Sequence, residues 1–214
     1  MTTREANLKS EVPQPKRRWK RVIVLLAVVV AVSVARPTWH ILSTAWNDSA
    51  DVEPVPVGQI DDASRLNQTP VAQVIDVPVE FDRAEGQLAE LLARARRDGL
   101  RVSIAGARHS MGGHSIYPGG LSINMLPYNR MDLDEQREIL RVGAGALWSD
   151  IIPFLDARGR SVAVMQSNNS FSVGGSLSVN CHGWQHGRPP IASTVESLRL
   201  MKADGSIVTC SRVE

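Results

Sequence analysis

Residues 105–115, AGARHSMGGHS, set His109 and His114 in a run of small residues between the apolar LRVSI and the glycine-closed turn YPGG. Imidazole titrates near neutrality, and its ring nitrogens bind metals, move protons and attack electrophiles. Three chemistries are therefore open to this loop: metal ligation, acid/base work, or a covalent handle for a larger group. A second small-residue stretch, SFSVGGSLSVNCHG at 170–183, adds Cys181 and His182, with His186 just beyond and Cys210 near the end.

The spacings His109-x4-His114 and Cys181-His182-x3-His186 give five possible metal ligands, and Cys210 a sixth. Structural zinc sites favour tight Cys or His pairs at fixed spacing. These candidates instead sit in glycine- and serine-rich loops without a flanking carboxylate, so no metal site is expected. Anion binding is the next chemistry, because backbone N–H groups in a glycine-rich turn hold phosphate oxygens without a cationic side chain. The nucleotide fingerprints are absent. GAGALW at 143–148 begins like G-x-G but lacks the later glycine, and no G-K-[ST] occurs. Two long small-residue loops remain, 105–115 and 170–183, each beside an expected strand. They read as a ligand cradle as readily as simple turns.

The elements around these loops alternate. VAQVIDV (71–77) reads as a strand, and Asp82 with Glu85 has the form of a capping box opening a helix. That helix places Leu88, Leu91, Leu92 and Ala95 on one face and stops near Gly99. LRVSIA and LSINM are strands on either side of the His109 loop. ILRVGAG is another strand, and ALWSDIIPFLDARG a helix with Leu147, Ile151 and Leu155 inward and Pro153 as a kink or interruption. TVESLRLMK and IVTCS form a hairpin around Asp204-Gly205. Strand–helix–strand runs followed by a hairpin give an α+β fold rather than a doubly wound sheet.

With 43% hydrophobic and 21% charged residues in 214, the chain has the composition of a folded protein. Its formal charge of +2 is uneven, since residues 1–21 hold seven Lys/Arg against Glu5 and Glu11. The excess belongs to the tail, and no basic face points to nucleic acid. Two cysteines make no disulfide framework, although one bridge remains open.

After KRRWKR comes VIVLLAVVVAVSVA, 14 residues without a charge. They span roughly 21 Å, short of the roughly 30 Å hydrocarbon core. Continuing through RPTWHILSTAW reaches spanning length, with Arg36 snorkelling and Trp39 and Trp46 near the interface. The expectation is a cytoplasmic basic tail (1–21), a signal anchor (22–46), an acidic three-proline linker (47–70), and a folded domain (71–214) outside the cytoplasm. A signal peptide cleaved after Ala35 is the competing reading, a buried helix a weaker one, and Arg17-Arg18 fits a twin-arginine signal poorly.

The segment RVSIAGARHSMGGHSIYPGGLSINMLPYNRM resembles the flavin-linking segment of the vanillyl-alcohol oxidase / PCMH-type FAD-binding family. VGAGALWSDIIPFLDARGRSV and SFSVGGSLSVNCHGWQHGRPPIASTVESLRLMKADGSIVTCS are similar to that family's next two stretches, in order. The cytokinin dehydrogenase, alditol oxidase and aldonolactone oxidase branches are nearest, and the likeness covers about residues 70–213. It implies FAD as cofactor, held in two α+β subdomains of which the second is incomplete here. On the same resemblance His109 matches the histidine joined to the flavin 8α-methyl, and so is not a general base. Gly106, Ala107, Arg108 and Ser110 match the pyrophosphate turn, with Arg108 replacing the commoner Gly. His114, Ser172, Gly175 and Ser178 match further flavin contacts, and Ser167 and His182 weaker ones. No Cys precedes the Val-Gly-Gly turn, so a single covalent link is expected. Cys181 and Cys210 read as small core residues, and His186 as mainly structural.

What the resemblance implies for activity is removal of a hydride from an alcohol, sugar or lactone onto FAD. The chain stops where the family continues into further strands and a cap, so the catalytic base is unassigned. Residues 47–214 alone are expected to bind FAD poorly. The competing reading is a non-enzymatic, membrane-tethered remnant or binding module with half a flavin cradle. An open reading frame beyond codon 214 encoding the missing strands favours the enzyme.

Overall fold

The computed structural model describes residues 16–48 and 54–212; residues 1–15 of the basic tail, 49–53 of the expected linker and the terminal 213–214 lie outside the described residues. The chain divides into two units, Met1–Pro54 and Val55–Glu214. The first is one helix, α1 (Lys16–Asp48), 33 residues long. Within it Trp19–Trp46 includes an 18-residue stretch of mean hydropathy 2.1 and is long and apolar enough to cross a membrane. None of its apolar window is buried within the chain, unlike the core helix of a globular domain. Pro37 lies inside α1, where its missing N–H leaves one carbonyl of the preceding turn without its helical donor.

The second unit is built around two hydrophobic clusters. The first surrounds a parallel sheet of β3 (Gln73–Asp76), β4 (Val102–Ala105) and β5 (Leu121–Asn124), in the order β3-β5-β4. Strand β5 is central, and Leu121, Ser122 and Ile123 are fully buried. Between β3 and β4 runs α2 (Phe81–Asp98), whose Ala84, Leu91 and Ala95 are buried with Ile75, Val77, Leu121 and Ile123. With half-buried Leu88 between Ala84 and Leu91, steps of four, three and four residues make one helical stripe. The helix stops because Gly99 takes φ 63°, where the amides of Gly99 and Leu100 both reach the Ala95 carbonyl.

The expected capping box does not form. Glu80 is the extended residue before the helix and makes no side-chain cap. Asp82 sits in the first turn, where a carboxylate meets the positive end of the helix dipole. Glu85 pairs with Arg199 instead.

The second cluster gathers Trp148, Ile151, Leu155, Val164, Val173, Cys181 and Ile191. It is framed by the hairpin β6 (Met131–Asp134)–β7 (Ile139–Val142), α3 (Trp148–Asp156) and α4 (Val173–Ser178). Trp148 takes the inward place expected of Leu147, which is the extended residue before the helix. Its indole N–H donates to Ser176 Oγ at 2.9 Å, and that hydroxyl donates to Gln166 Oε1 at 3.0 Å. The final hairpin, β8 (Ser197–Met201)–β9 (Ile207–Ser211), turns at Asp204-Gly205 as expected, with Gly205 at φ 85°.

The glycines of GAGALW have a plain packing role. A Cβ on Gly145 would lie 1.6 Å from the Met125 carbonyl oxygen, and one on Gly143 would lie 2.3 Å from that of Tyr128. The Met125–Asn129 backbone crosses directly over them.

The stretch expected as linker is ordered in its second half. β1 (Gln59–Ile60) pairs antiparallel with β2 (Thr69–Pro70), and the turn between them wraps around Asp62, 5% exposed. The Asp62 carboxyl is held well below the ordinary carboxylate range. The Ser64 hydroxyl is the main cause; burial opposes it, and the Gly113, Gly112 and Ser64 amides reinforce it.

Gly145→Ala forces a methyl into the Met125 carbonyl and should lower unfolding stability by about 1–3 kcal/mol in denaturant titration. The Asp62 contribution has a defined pH window. With its folded pKa depressed, it is fully present above the unfolded value of about 3.9 and is lost as pH falls towards the folded value. Thermal melts of the wild type and Asp62→Ala should differ by a constant gap at neutral pH, closing only below about pH 4.

Candidate functional site

Strand β4 ends at Ala105, and the chain leaves the carboxyl edge of the parallel sheet as the 106–116 loop before returning as β5. Ligands in parallel sheets settle beyond that edge, where turning loops expose backbone groups. The second small-residue stretch enters α4 at Ser172, from the other cluster. The two meet with no room to spare, since a Cβ on Gly106 would stand 2.0 Å from Ser172 Oγ. Ser172 is buried, and a Cβ on Gly175 would come within 3.2 Å of the same hydroxyl. Gly106, Ser172 and Gly175 thus form one seam.

His109 lies half-buried on that seam. Its ring stacks edge-to-face on Phe171, centroids 4.4 Å apart, and its Nε2 is 3.0 Å from Ser170 Oγ. The partners of Ser170 determine which way this bond runs. Asn168 Oδ1 accepts the Ser170 amide at 2.9 Å, which identifies that atom as the carbonyl oxygen. The Ser170 hydroxyl donates to the same oxygen at 2.9 Å, leaving only lone pairs for the imidazole. With the Ser170 hydroxyl donating to Asn168, the neutral tautomer that pairs with it is the one protonated on Nε2, which leaves Nδ1 unprotonated.

Around His109 the loop splits its amides into two groups. Those of Gly112 and Gly113 donate to Asp62 Oδ2 at 2.9 and 2.8 Å. Those from Ala107 to Met111 find no acceptor among the described residues. Arg108 is left-handed at φ 55°, a conformation its commoner counterpart Gly takes without strain, and its buried Nε is without a partner. A buried donor without a partner, as Arg108 Nε is among the described residues, is one that a bound anion would satisfy. The 107–111 amides and Arg108 Nε are donors of the kind the pyrophosphate of FAD would take.

The other expected contacts are less engaged. His114 is exposed, with its ring folded against Gly112, where a Cβ would meet Cε1 at 2.8 Å. Ser178 donates to the Gly174 carbonyl at 2.8 Å within its own helix. His182 is exposed, its Nδ1 3.4 Å from the Gly183 carbonyl. Ser110 and Ser167 are exposed, and neither forms a hydrogen bond among the described residues. No three His, Cys, Asp or Glu gather into a metal-like group among the described residues. Both cysteines are free thiols, and Cys210 is exposed rather than in the core. Asp62, Asn168, Ser170 and Phe171 were not singled out in the sequence. Only the last two had a signal, their place at the head of the second loop.

Comparison with known proteins gives this seam its context. A profile of the FAD binding domain family matches residues 81–211. L-gulonolactone oxidase of Mus musculus is 33% identical over 59% of this chain and 29% of its own. Cytokinin dehydrogenase 2 of Arabidopsis thaliana is 30% identical over 53% of this chain and 23% of its own. Alditol oxidase of a Streptomyces species is 31% identical, over 57% and 29%. The chain therefore spans under a third of the length of these relatives. In fold it is similar to 6-hydroxy-D-nicotine oxidase of Arthrobacter nicotinovorans, with TM-score 0.59, 20% identity, and 76% of this chain and 36% of that one covered. Cholesterol oxidase of B. sterolicum gives a TM-score of 0.58 at 18% identity, with the same coverage. With more than half of its length matched by the profile and the same architecture in both solved structures, the chain belongs to the PCMH-type FAD binding domain family, and FAD is its cofactor.

Proposed function

We propose that this chain is the cofactor-binding part of a membrane-anchored oxidoreductase that takes a hydride from an alcohol, sugar or lactone, with its FAD joined covalently to His109. One observation carries the reading: His109 is held by Ser170 and Phe171 inside a loop whose 107–111 amides find no acceptor among the described residues. The names of the relatives, a lactone oxidase and an alditol oxidase, support the substrate class.

Bound FAD supplies the electron-pair acceptor for the substrate hydride. The rest is work for the chain's own groups. The amides from Ala107 to Ser110, and Arg108 Nε, would hold the pyrophosphate. Gly106 and Gly175 make way for Ser172 itself, which closes the seam beneath those amides. His114, Ser167, Ser178 and His182 would add outer contacts after side-chain rearrangement. Asn168 orients Ser170, Ser170 holds the His109 proton on Nε2, and Phe171 limits rotation of the ring. His109 is then an attachment point and leaves proton abstraction to another residue. Helix α1 keeps the domain at the membrane, on the non-cytoplasmic side by the positive charge of the tail.

In the full-length protein, His109→Ala should abolish acid-stable flavin fluorescence on denaturing gels. Unchanged covalent flavin would move the link elsewhere, with His114 first to be tested. Ser170→Ala should keep the link but slow its formation about tenfold, the effect of losing one orienting hydrogen bond of roughly 1.4 kcal/mol. The protein should stay in the pellet after alkaline carbonate extraction. A mature N-terminus at Arg36 would instead identify α1 as a cleaved leader.

A further inference from the structure

Asp62 lies outside the part of the chain matched to the FAD binding domain family, yet its carboxylate is the most heavily hydrogen-bonded side chain beside the His109 loop. Its Oδ2 accepts from the Gly112 and Gly113 amides and from Asn67 Nδ2, at 2.9, 2.8 and 2.9 Å. Its Oδ1 accepts the Ser64 amide at 2.9 Å and the Ser64 hydroxyl at 2.5 Å. Five donors on one carboxylate fill the four or so lone-pair positions it offers. The next residue, Ala63, donates its amide to the Arg108 carbonyl at 3.0 Å. Two adjacent residues of the 59–70 turn therefore grip the loop at position 108 and at 112–113, on either side of His109.

The grip falls on the loop's least relaxed backbone. Gly112 and Gly113 have φ of 123° and 74°, and Arg108 is the strained left-handed residue. Gly113 lies against Asn67, and a Cβ there would sit in ordinary van der Waals contact, 3.5 Å from Asn67 Cβ. Successive amides aimed at one oxygen make an anion-binding concavity, and here the protein's own carboxylate occupies it. That leaves the amides before Met111 as the ones open to an external anion.

We propose that Asp62 is a positioning residue for cofactor attachment: its carboxylate sets the 106–113 loop in the conformation that presents His109 and the 107–110 amides to FAD. This rests on the reading of His109 as the attachment point. Asp62 touches neither flavin nor substrate and acts through the loop. Substitution by Asn keeps the shape but turns an NH2 toward donors, so part of the grip is lost; Ala removes it.

The test uses full-length protein in detergent with three variants, Asp62→Asn, Asp62→Ala and His109→Ala. Hydrogen exchange at Gly112 and Gly113, covalent flavin per chain and FAD affinity of the apoprotein are read together. Expected is a tenfold or greater rise in exchange at 112–113 for Asp62→Ala, smaller for Asp62→Asn, with α2 amides unchanged. Covalent flavin should fall at least tenfold in the same order. His109→Ala should lose the flavin bond while exchange at 112–113 stays as in the wild type.

Normal exchange in Asp62→Ala, or full covalent flavin despite a loosened loop, would overturn the proposal. If the wild type has no covalent flavin, the attachment reading fails by itself. FAD affinity of the apoprotein then decides on Asp62, with a tenfold loss in Asp62→Ala supporting the positioning role and no change removing it. Should both Asp62 variants misfold, Ser64→Ala, which trims one donor, should give a two- to threefold change in the same direction; no change there counts against the proposal.

Discussion

The second unit depends on a contact that leaves no space for a methyl group. Gly106 closes on Ser172 so tightly that any side chain at 106 would overlap the hydroxyl. The contact joins the end of a parallel strand, packed on the α2 cluster, to the start of α4, packed on the Trp148 cluster. Everything said of His109 follows from it. Without that approach, Phe171 and Ser170 would not reach the imidazole, and the ring would lose its stack and its tautomer. Packing at the seam and chemistry at the seam are the same constraint.

Much of this was legible in the residues, wherever the signal was local. The stop of α2 at Gly99 and the Asp204-Gly205 hairpin follow from turn chemistry and formed as expected, and the α2 stripe formed from Leu88, Leu91 and Ala95 with Ala84 in place of the expected Leu92. The small-residue loops marked the Gly106–Ser172 seam, because so close an approach must be encoded by small residues. The failures have equally physical causes. GAGALW, set aside as a phosphate loop for want of a later glycine, has glycines whose packing role the sequence did not reveal: they make way for the Met125–Asn129 backbone. The Asp82/Glu85 pair had capping spacing, but a longer-range partner, Arg199, took the glutamate. Leu147 and Trp148 differ by one residue in register, which the Trp148–Ser176–Gln166 network decides.

Asp62 was the hardest to foresee. It sits among acidic residues and prolines, a composition that reads as an unstructured tether. Its partners are backbone amides 50 and 51 positions away, which carry no side-chain signature. Ser170 and Asn168 escaped for a related reason, since their effect on His109 depends on the direction of two hydroxyl bonds. Periodicity reveals faces, and glycine reveals clearance, but neither reveals which atom donates.

The position of that turn in the chain also bears on the order of assembly. Residues 59–70 are synthesised, and follow α1 through any membrane machinery, before the loop they grip exists. When 106–116 emerges, β3, α2 and β4 have already been made, and the carboxylate meets the loop as soon as β5 inserts between its two neighbours. On the proposed role of Asp62, the 106–116 loop is shaped during biogenesis by a segment that precedes it. On that proposal a tag or fusion inserted between α1 and residue 70 would interfere with cofactor loading while leaving every residue of the 106–116 loop untouched.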